Sequence, residues 1–147
     1  MIIGIDLATV NCGVCFMKHD ETCSFSTIGI PDIAIDDSII EFSQALAKVV
    51  SGQICYIDFN FNECFLPNKR KHIAVKYFLA GVILLSAKET YFIKPSQVRK
   101  HFGFEPKMNK YKFHAEMFKD VRQENEHERD AYLLALMGLQ LQRMKHD

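Results

Sequence analysis

The chain has no uninterrupted apolar run near the roughly eighteen residues that a membrane-spanning helix needs, so no membrane contact is expected. Internal repeats, low-complexity tracts and Pro/Gly-rich linkers are also missing, which argues against repeat arrays and tethered modules. Ile2 and Ile3 are followed at once by Gly4 and Asp6, so no signal peptide is evident. The cysteines Cys12, Cys15, Cys23, Cys55 and Cys64 are odd in number, which fits a reduced intracellular protein better than a disulfide scaffold. Cys12 and Cys15 have the spacing of half a zinc site, yet no second pair completes it. A strand would put the two on opposite faces, as small core residues.

Net charge is absent too, but only as a total. Residues 1–65 carry two basic and nine acidic side chains, residues 66–119 twelve and three, and residues 120–147 four and six. A basic middle between acidic ends suits a polyanion partner plus a cation site; equally, basic helices often just solvate their outer faces. At 147 residues the chain is long enough for one domain, 1–147, with its own core.

What the sequence does have begins with Ile2, Ile3 and Ile5, a β-branched run closed by Asp6. A charge at the end of a buried strand must be paired or hold a cation, unless it merely hydrogen-bonds the next turn. The first strand is expected from about Met1 to Asp6. A turn of Thr9, Asn11 and Gly13 leads to a second strand, about Gly13 to Lys18. Cys23 to Ile28 makes a third, giving an antiparallel meander. Ser38 and Glu41 form a capping box for a helix with Ile39, Phe42, Leu46 and Val49 on one face, stopped by Gly52. The run Ile54 to Asp58 is a second strand ending in an acid. After an aromatic and polar loop with Phe59, Phe61 and Phe65, a long helix from His72 to Lys88 is apolar nearly all round and should be covered on more than one side. A short strand, Thr90 to Ile93, precedes a helix starting at Pro95 and closed by Gly103. Further helices run from Tyr111 to Val121 and onward from Asn125–Glu128. The order predicts an α/β domain with a mixed sheet of five strands.

If the strands ending in Asp6 and Asp58 are parallel neighbours, their carboxylates meet at one end of the sheet. In the last helix His127 and Asp130 are three apart on one face, on roughly the same side as the apolar stripe Ala131, Leu134, Gly138 and Leu141. Asp6, Asp58, His127 and Asp130 are therefore expected to converge. Such an oxygen-rich set with one imidazole suits magnesium, with manganese as a substitute. Two such ions are the recurring device for in-line attack on a phosphodiester.

These residues resemble the RuvC-type Holliday-junction resolvases of the RNase H-like superfamily, over nearly the whole chain. The resemblance rests on Gly4-Ile5-Asp6 with Gly13, on Tyr56-Ile57-Asp58 (Asp where many members have Glu), and on His127 and Asp130 followed by Ala131-Tyr132-Leu133-Leu134-Ala135. It implies an RNase H-like mixed five-stranded sheet flanked by helices. The implied activity is endonucleolytic cutting of four-way or branched DNA by paired nicks, with two ions per site held by Asp6, Asp58, His127 and Asp130. His127 would ligate an ion or handle a proton; Glu63 and Glu126 stand in if the register slips. Phe61 matches the family's junction-inserting aromatic. Arg99 and, more loosely, Lys110 or Lys112 match its basic residues, and Lys69, Arg70 and Lys71 add to the expected DNA-binding set. A cytoplasmic, DNA-associated protein of bacterial or phage origin is implied. A homodimer is expected through the 72–88 helix, where Val75, Leu79, Val82, Ile83 and Leu85 exceed what one face needs, with Lys76 among the basic residues doubled across the axis. Other readings are an RNA-acting nuclease like the YqgF group, a catalytically decayed DNA-binding module, and an actin-like nucleotide-binding domain. The last would need a second half that one short domain does not supply.

Overall fold

A computed structural model describes residues 1–7, 11–29, 37–59, 70–118 and 125–146. Five strands, β1 (Ile2–Leu7), β2 (Asn11–Met17), β3 (Cys23–Gly29), β4 (Ile54–Asp58) and β5 (Glu89–Ile93), form one mixed sheet in the order β3-β2-β1-β4-β5. The β1-β2-β3 meander is antiparallel, and β4 and β5 run parallel to β1. Among the described residues five helices accompany it: α1 (Asp37–Val50), α2 (Arg70–Ser86), α3 (Pro95–His101), α4 (Lys110–Met117) and α5 (Glu126–His146).

The alternation of side chains along each strand sorts the core into two layers. Ile3, Ile5 and Leu7 of β1 with Cys55 and Ile57 of β4 pack under Ile39 and Leu46 of α1 and Leu79 and Ile83 of α2. On the opposite face Ile2, Cys15, Met17 and Tyr56 lie under Ala131, Leu134 and Ala135 of α5, with Val98 of α3 and Phe113 of α4 beside them. Cys12 and Cys15 fall on opposite faces as the strand pattern requires, and burial pushes the Cys12 thiol up to about 12, so neither the position nor the chemistry suits a shared metal.

Helix α5 approaches the sheet closely because glycines face it. A Cβ on Gly4 would lie 2.0 Å from the Ala131 carbonyl oxygen, and one on Gly13 would lie 2.2 Å from that of His127. Gly13 is thus a residue inside β2, not part of the turn as the sequence implied; β2 starts at Asn11. Farther along α5, Gln142 Nε2 donates to the buried Tyr56 hydroxyl at 2.9 Å, and Tyr56 stacks on Tyr91 with centroids 4.7 Å apart.

Other boundaries shift modestly. The long helix begins at Arg70 and ends at Ser86, and α4 runs from Lys110 to Met117. The Ser38 cap and the loop with Phe61, Glu63, Phe65 and Lys69 lie outside what the structure describes, as do the side chains of Arg70 and Lys71. Phe59 is a core residue, edge-on to Tyr77 and Phe92. Among the described residues helix α2 packs on its own sheet and on α1, but is not covered all round. Leu79 and Ile83 are fully buried against its own sheet, whereas Phe78, Leu84 and Leu85 are exposed, Leu85 at 89%. Nor does Lys76 join a basic outer face: it is buried, with Nζ 5.5 Å from the Phe59 ring centroid.

Gly13→Ala is expected to destabilise the fold by ~1–3 kcal/mol or more, because the backbone of α5 must back away from β2. Chemical denaturation of the variant checks this; an unchanged midpoint and slope would mean that α5 does not press on Gly13.

Candidate active site

Asp6 and Asp58 are direct partners in the parallel β1–β4 register, so their backbones are one strand spacing apart, about 4.8 Å. Both occupy the even-numbered positions that face α5, with Ile2 and Tyr56. The α5 N-terminus lies over them. His127 Nδ1 is 3.0 Å from Asp6 Oδ2. Gly13 pairs with Asp6 across β1–β2, and its missing side chain is the space that the His127 backbone fills. A residue type, a register and a helix approach therefore combine to put imidazole on carboxylate.

Asp130, one turn after His127, is held by helix α4. His114 Nε2 lies 2.8 Å from Asp130 Oδ1, and Lys110 Nζ lies 2.9 Å from Oδ2 while also pairing with Glu126. Asn109 caps α4 by accepting from the backbone N–H groups of Tyr111 and Lys112, which fixes where Lys110 and His114 begin their reach.

The three carboxylates sense one another. Burial, then the charges of Asp6 and Asp130, push Asp58 up to about 7, against the smaller pull of Lys76 and Lys110. Asp6 is also raised, by burial and by Asp130, with the His127 hydrogen bond opposing. Burial would raise Asp130 as well, but the His114 and Lys110 hydrogen bonds outweigh it and hold it below the usual carboxylate range. Lys110 is raised despite its burial, by Glu126 and Asp130.

Beside the acids is a cavity of about 110 Å³, lined by Asp58, Arg99, Lys110, Phe113, His114 and Asp130 among others. Arg99 lies over the Phe113 ring, its Cζ 5.6 Å from the centroid, and its Nε is buried without a hydrogen-bond partner in the structure. Arg99 thus adds positive charge to a cavity that Asp58 and Asp130 also line.

The three acids and one imidazole expected from the sequence, Asp6, Asp58, Asp130 and His127, thus come to one end of the sheet. Lys110, expected as a DNA contact, is engaged with Asp130 and with Glu126, its side chain still 37% exposed. Lys112 is exposed on α4. Phe61, Glu63 and Lys69 fall outside the described residues. His114 was missed, although its position one turn after Lys110 on the same helix face is a readable signal.

Among the described residues, no group of three or more His, Cys, Asp or Glu side chains is gathered closely enough to hold a metal ion as it stands. The chemistry of the donors nevertheless suits one: two buried carboxylates are pushed toward protonation by burial and by a third, a repulsion that a divalent cation would relieve.

No protein-family model matches the chain, and no curated protein does. Solved structures do match. The Thermus thermophilus RuvC structure superposes with a TM-score of 0.68 at 15% identity, covering 98% of this chain and 96% of that one. The T. thermophilus RuvC in complex with Holliday junction substrate gives 0.68 at 14%, covering 97% and 94%.

The fold is RuvC-like. The RuvC-like, RNase H-like frame is the one the sequence resemblance implied, with its five-stranded mixed sheet and flanking helices. Within that RuvC-like sheet the ends of β1 and β4 carry the acids described above.

The raised Asp58 has a consequence for stability. Folded, it takes its proton more readily than unfolded, where its value is about 3.8, so the fold loses stability as pH climbs from about 4 to about 7. Asp58→Asn is expected to raise the Tm above pH 7 and to change it little near pH 4. Melting curves across that range check this; an equal shift at both ends would contradict it.

Proposed function

We propose that the protein is a divalent-metal-dependent endonuclease that cuts four-way or branched DNA by hydrolysing phosphodiester bonds. The observation that carries this reading is the pairing of Asp6 with Asp58 beneath His127 and Asp130, in a fold like that of RuvC, one of whose structures is a complex with a Holliday junction.

Asp6, Asp58 and Asp130 would hold the cation, with His127 as a further ligand or as the group that moves a proton beside Asp6. Two magnesium ions, or manganese in their place, would supply activation of water and neutralisation of the leaving oxygen. The protein's part is to place carboxylates rigidly by strand register, to exclude water from Asp6 by burial, and to set Arg99 beside the phosphate's path. Lys110 is drawn toward the same acids and adds positive charge where an anionic strand must approach.

Two nicks on symmetric strands of a junction call for two sites in matching orientation, which a C₂ dimer supplies. The exposed stripe of α2, with Phe78 and Leu85 seven residues apart and Gly81 open between them, is the surface proposed to meet a second copy. Leu79 and Ile83 face the core and are unsuitable for testing this.

Cleavage of synthetic four-way junctions, linear duplex and RNA/DNA hybrid, each with and without magnesium, tests the activity. Junction cutting that needs magnesium is expected. Asp6→Asn, Asp58→Asn and Asp130→Asn should each abolish it while leaving junction affinity equal or better, because a carboxylate repels phosphate when no cation intervenes. Preferred cutting of the hybrid would favour an RNA-acting nuclease, and junction binding without cutting a DNA-binding module. For the dimer, Leu85→Glu is expected to halve the mass in solution and to remove paired nicking of a cruciform while single nicks persist. A dimeric Leu85→Glu would place the interface elsewhere.

A further inference from the structure

His114 is buried, its side chain 5% exposed, and its Nε2 meets Asp130 Oδ1 at 2.8 Å. An ionised carboxylate can only accept, so Nε2 carries the proton and donates. The ring is fixed by packing, edge-on to Phe118 with centroids 5.8 Å apart and tilted against Phe113. The other oxygen, Oδ2, is held by Lys110, whose side chain is 37% exposed, is shared with Glu126, and sits on a flexible four-carbon stem. Asp130 is therefore gripped twice from α4, once by a packed ring and once by a mobile ammonium. The terminal torsion of an Asp is broad, so without a fixed donor on one oxygen the carboxylate plane would rotate.

We propose that His114 is a positioning residue for Asp130: it retains Oδ1 and so leaves Oδ2, on the Lys110 side, as the oxygen given over to a divalent cation. This rests on the metal-dependent reading above. It assigns the two halves of one carboxylate different tasks, and it makes α4, which carries none of the four converging residues, part of the site. It also separates the two α4 side chains: Lys110 is exchangeable at Oδ2, whereas His114 stays.

The test compares wild type with His114→Phe, which keeps a ring of similar size but has no donor, and His114→Gln, whose amide nitrogen can stand near the position of Nε2. Asp130→Asn is the control. Mn²⁺ binding is measured without DNA by calorimetry and by electron paramagnetic resonance of the free ion; melting curves report folding, and junction cutting is followed as Mn²⁺ is varied. His114→Phe is expected to bind Mn²⁺ about 10–100-fold more weakly, as partners of metal ligands typically do when lost. The Mn²⁺ concentration for half-maximal cutting should rise by the same factor, with junction affinity unchanged, and His114→Gln should recover to within a few-fold of wild type. Wild-type Mn²⁺ affinity in His114→Phe, or a His114→Gln as weak as His114→Phe, overturns the proposal alone. If wild type itself binds no Mn²⁺, the metal reading fails and the proposal falls with it. Should His114→Phe not fold, His114→Asn replaces it: its shorter amide falls short of Oδ1, so weaker Mn²⁺ binding than His114→Gln supports the proposal, and equal binding overturns it.

Discussion

Backbone meets backbone where α5 crosses β1 and β2, and the site depends on that approach. Gly4 admits the Ala131 carbonyl and Gly13 admits His127, at distances that no side chain on the strand would allow. Interiors are close-packed, so a helix seated this way has little freedom to slide or lift. Its first turn is thereby fixed over the end of the sheet. The strand register does the rest, because Asp6 is neighbour both to Gly13 on β2 and to Asp58 on β4.

Charge is balanced locally rather than across the surface. The acidic ends and basic middle of the chain meet in three dimensions: Asp6 and Asp58 come from the acidic first part, Lys76, Arg99, Lys110 and His114 from the middle, and Glu126, His127 and Asp130 from the last. Lys76 is the clearest instance. Its charge is buried over the Phe59 ring and its field reaches Asp58, so part of the basic excess serves the acids from beneath. Among the described residues no helix is long and apolar enough to cross a membrane.

Much of this was legible in sequence because it follows from short-range pattern. The β-branched runs before Asp6 and Asp58, the three-residue step from His127 to Asp130, and the Gly52 and Gly103 stops with positive φ are all local. What depended on a distant partner was less legible. Gly13 looked like turn chemistry, since nothing in its neighbours announces that a helix more than a hundred residues later needs its missing Cβ. For Lys110 the sequence offered a DNA-contact reading but no sign that the side chain also turns toward Glu126 and Asp130. The apolar girth of α2 signalled more burial than the described residues provide, since composition does not say which side faces the sheet. His114 was hidden among aromatic neighbours, where a buried imidazole reads as ordinary core.

The close seating of α5 is made by backbone and by glycine, whereas the acids and the imidazole gathered beside that contact are side chains. Shape and reactivity are therefore inherited separately. The buried acids repel one another, a cost to the fold that the proposed cation would offset. In a lineage that no longer held the cation, amides would accumulate at the strand ends while Gly4 and Gly13 stayed, and the descendant would be a steadier protein of the same outline with no acid left to act.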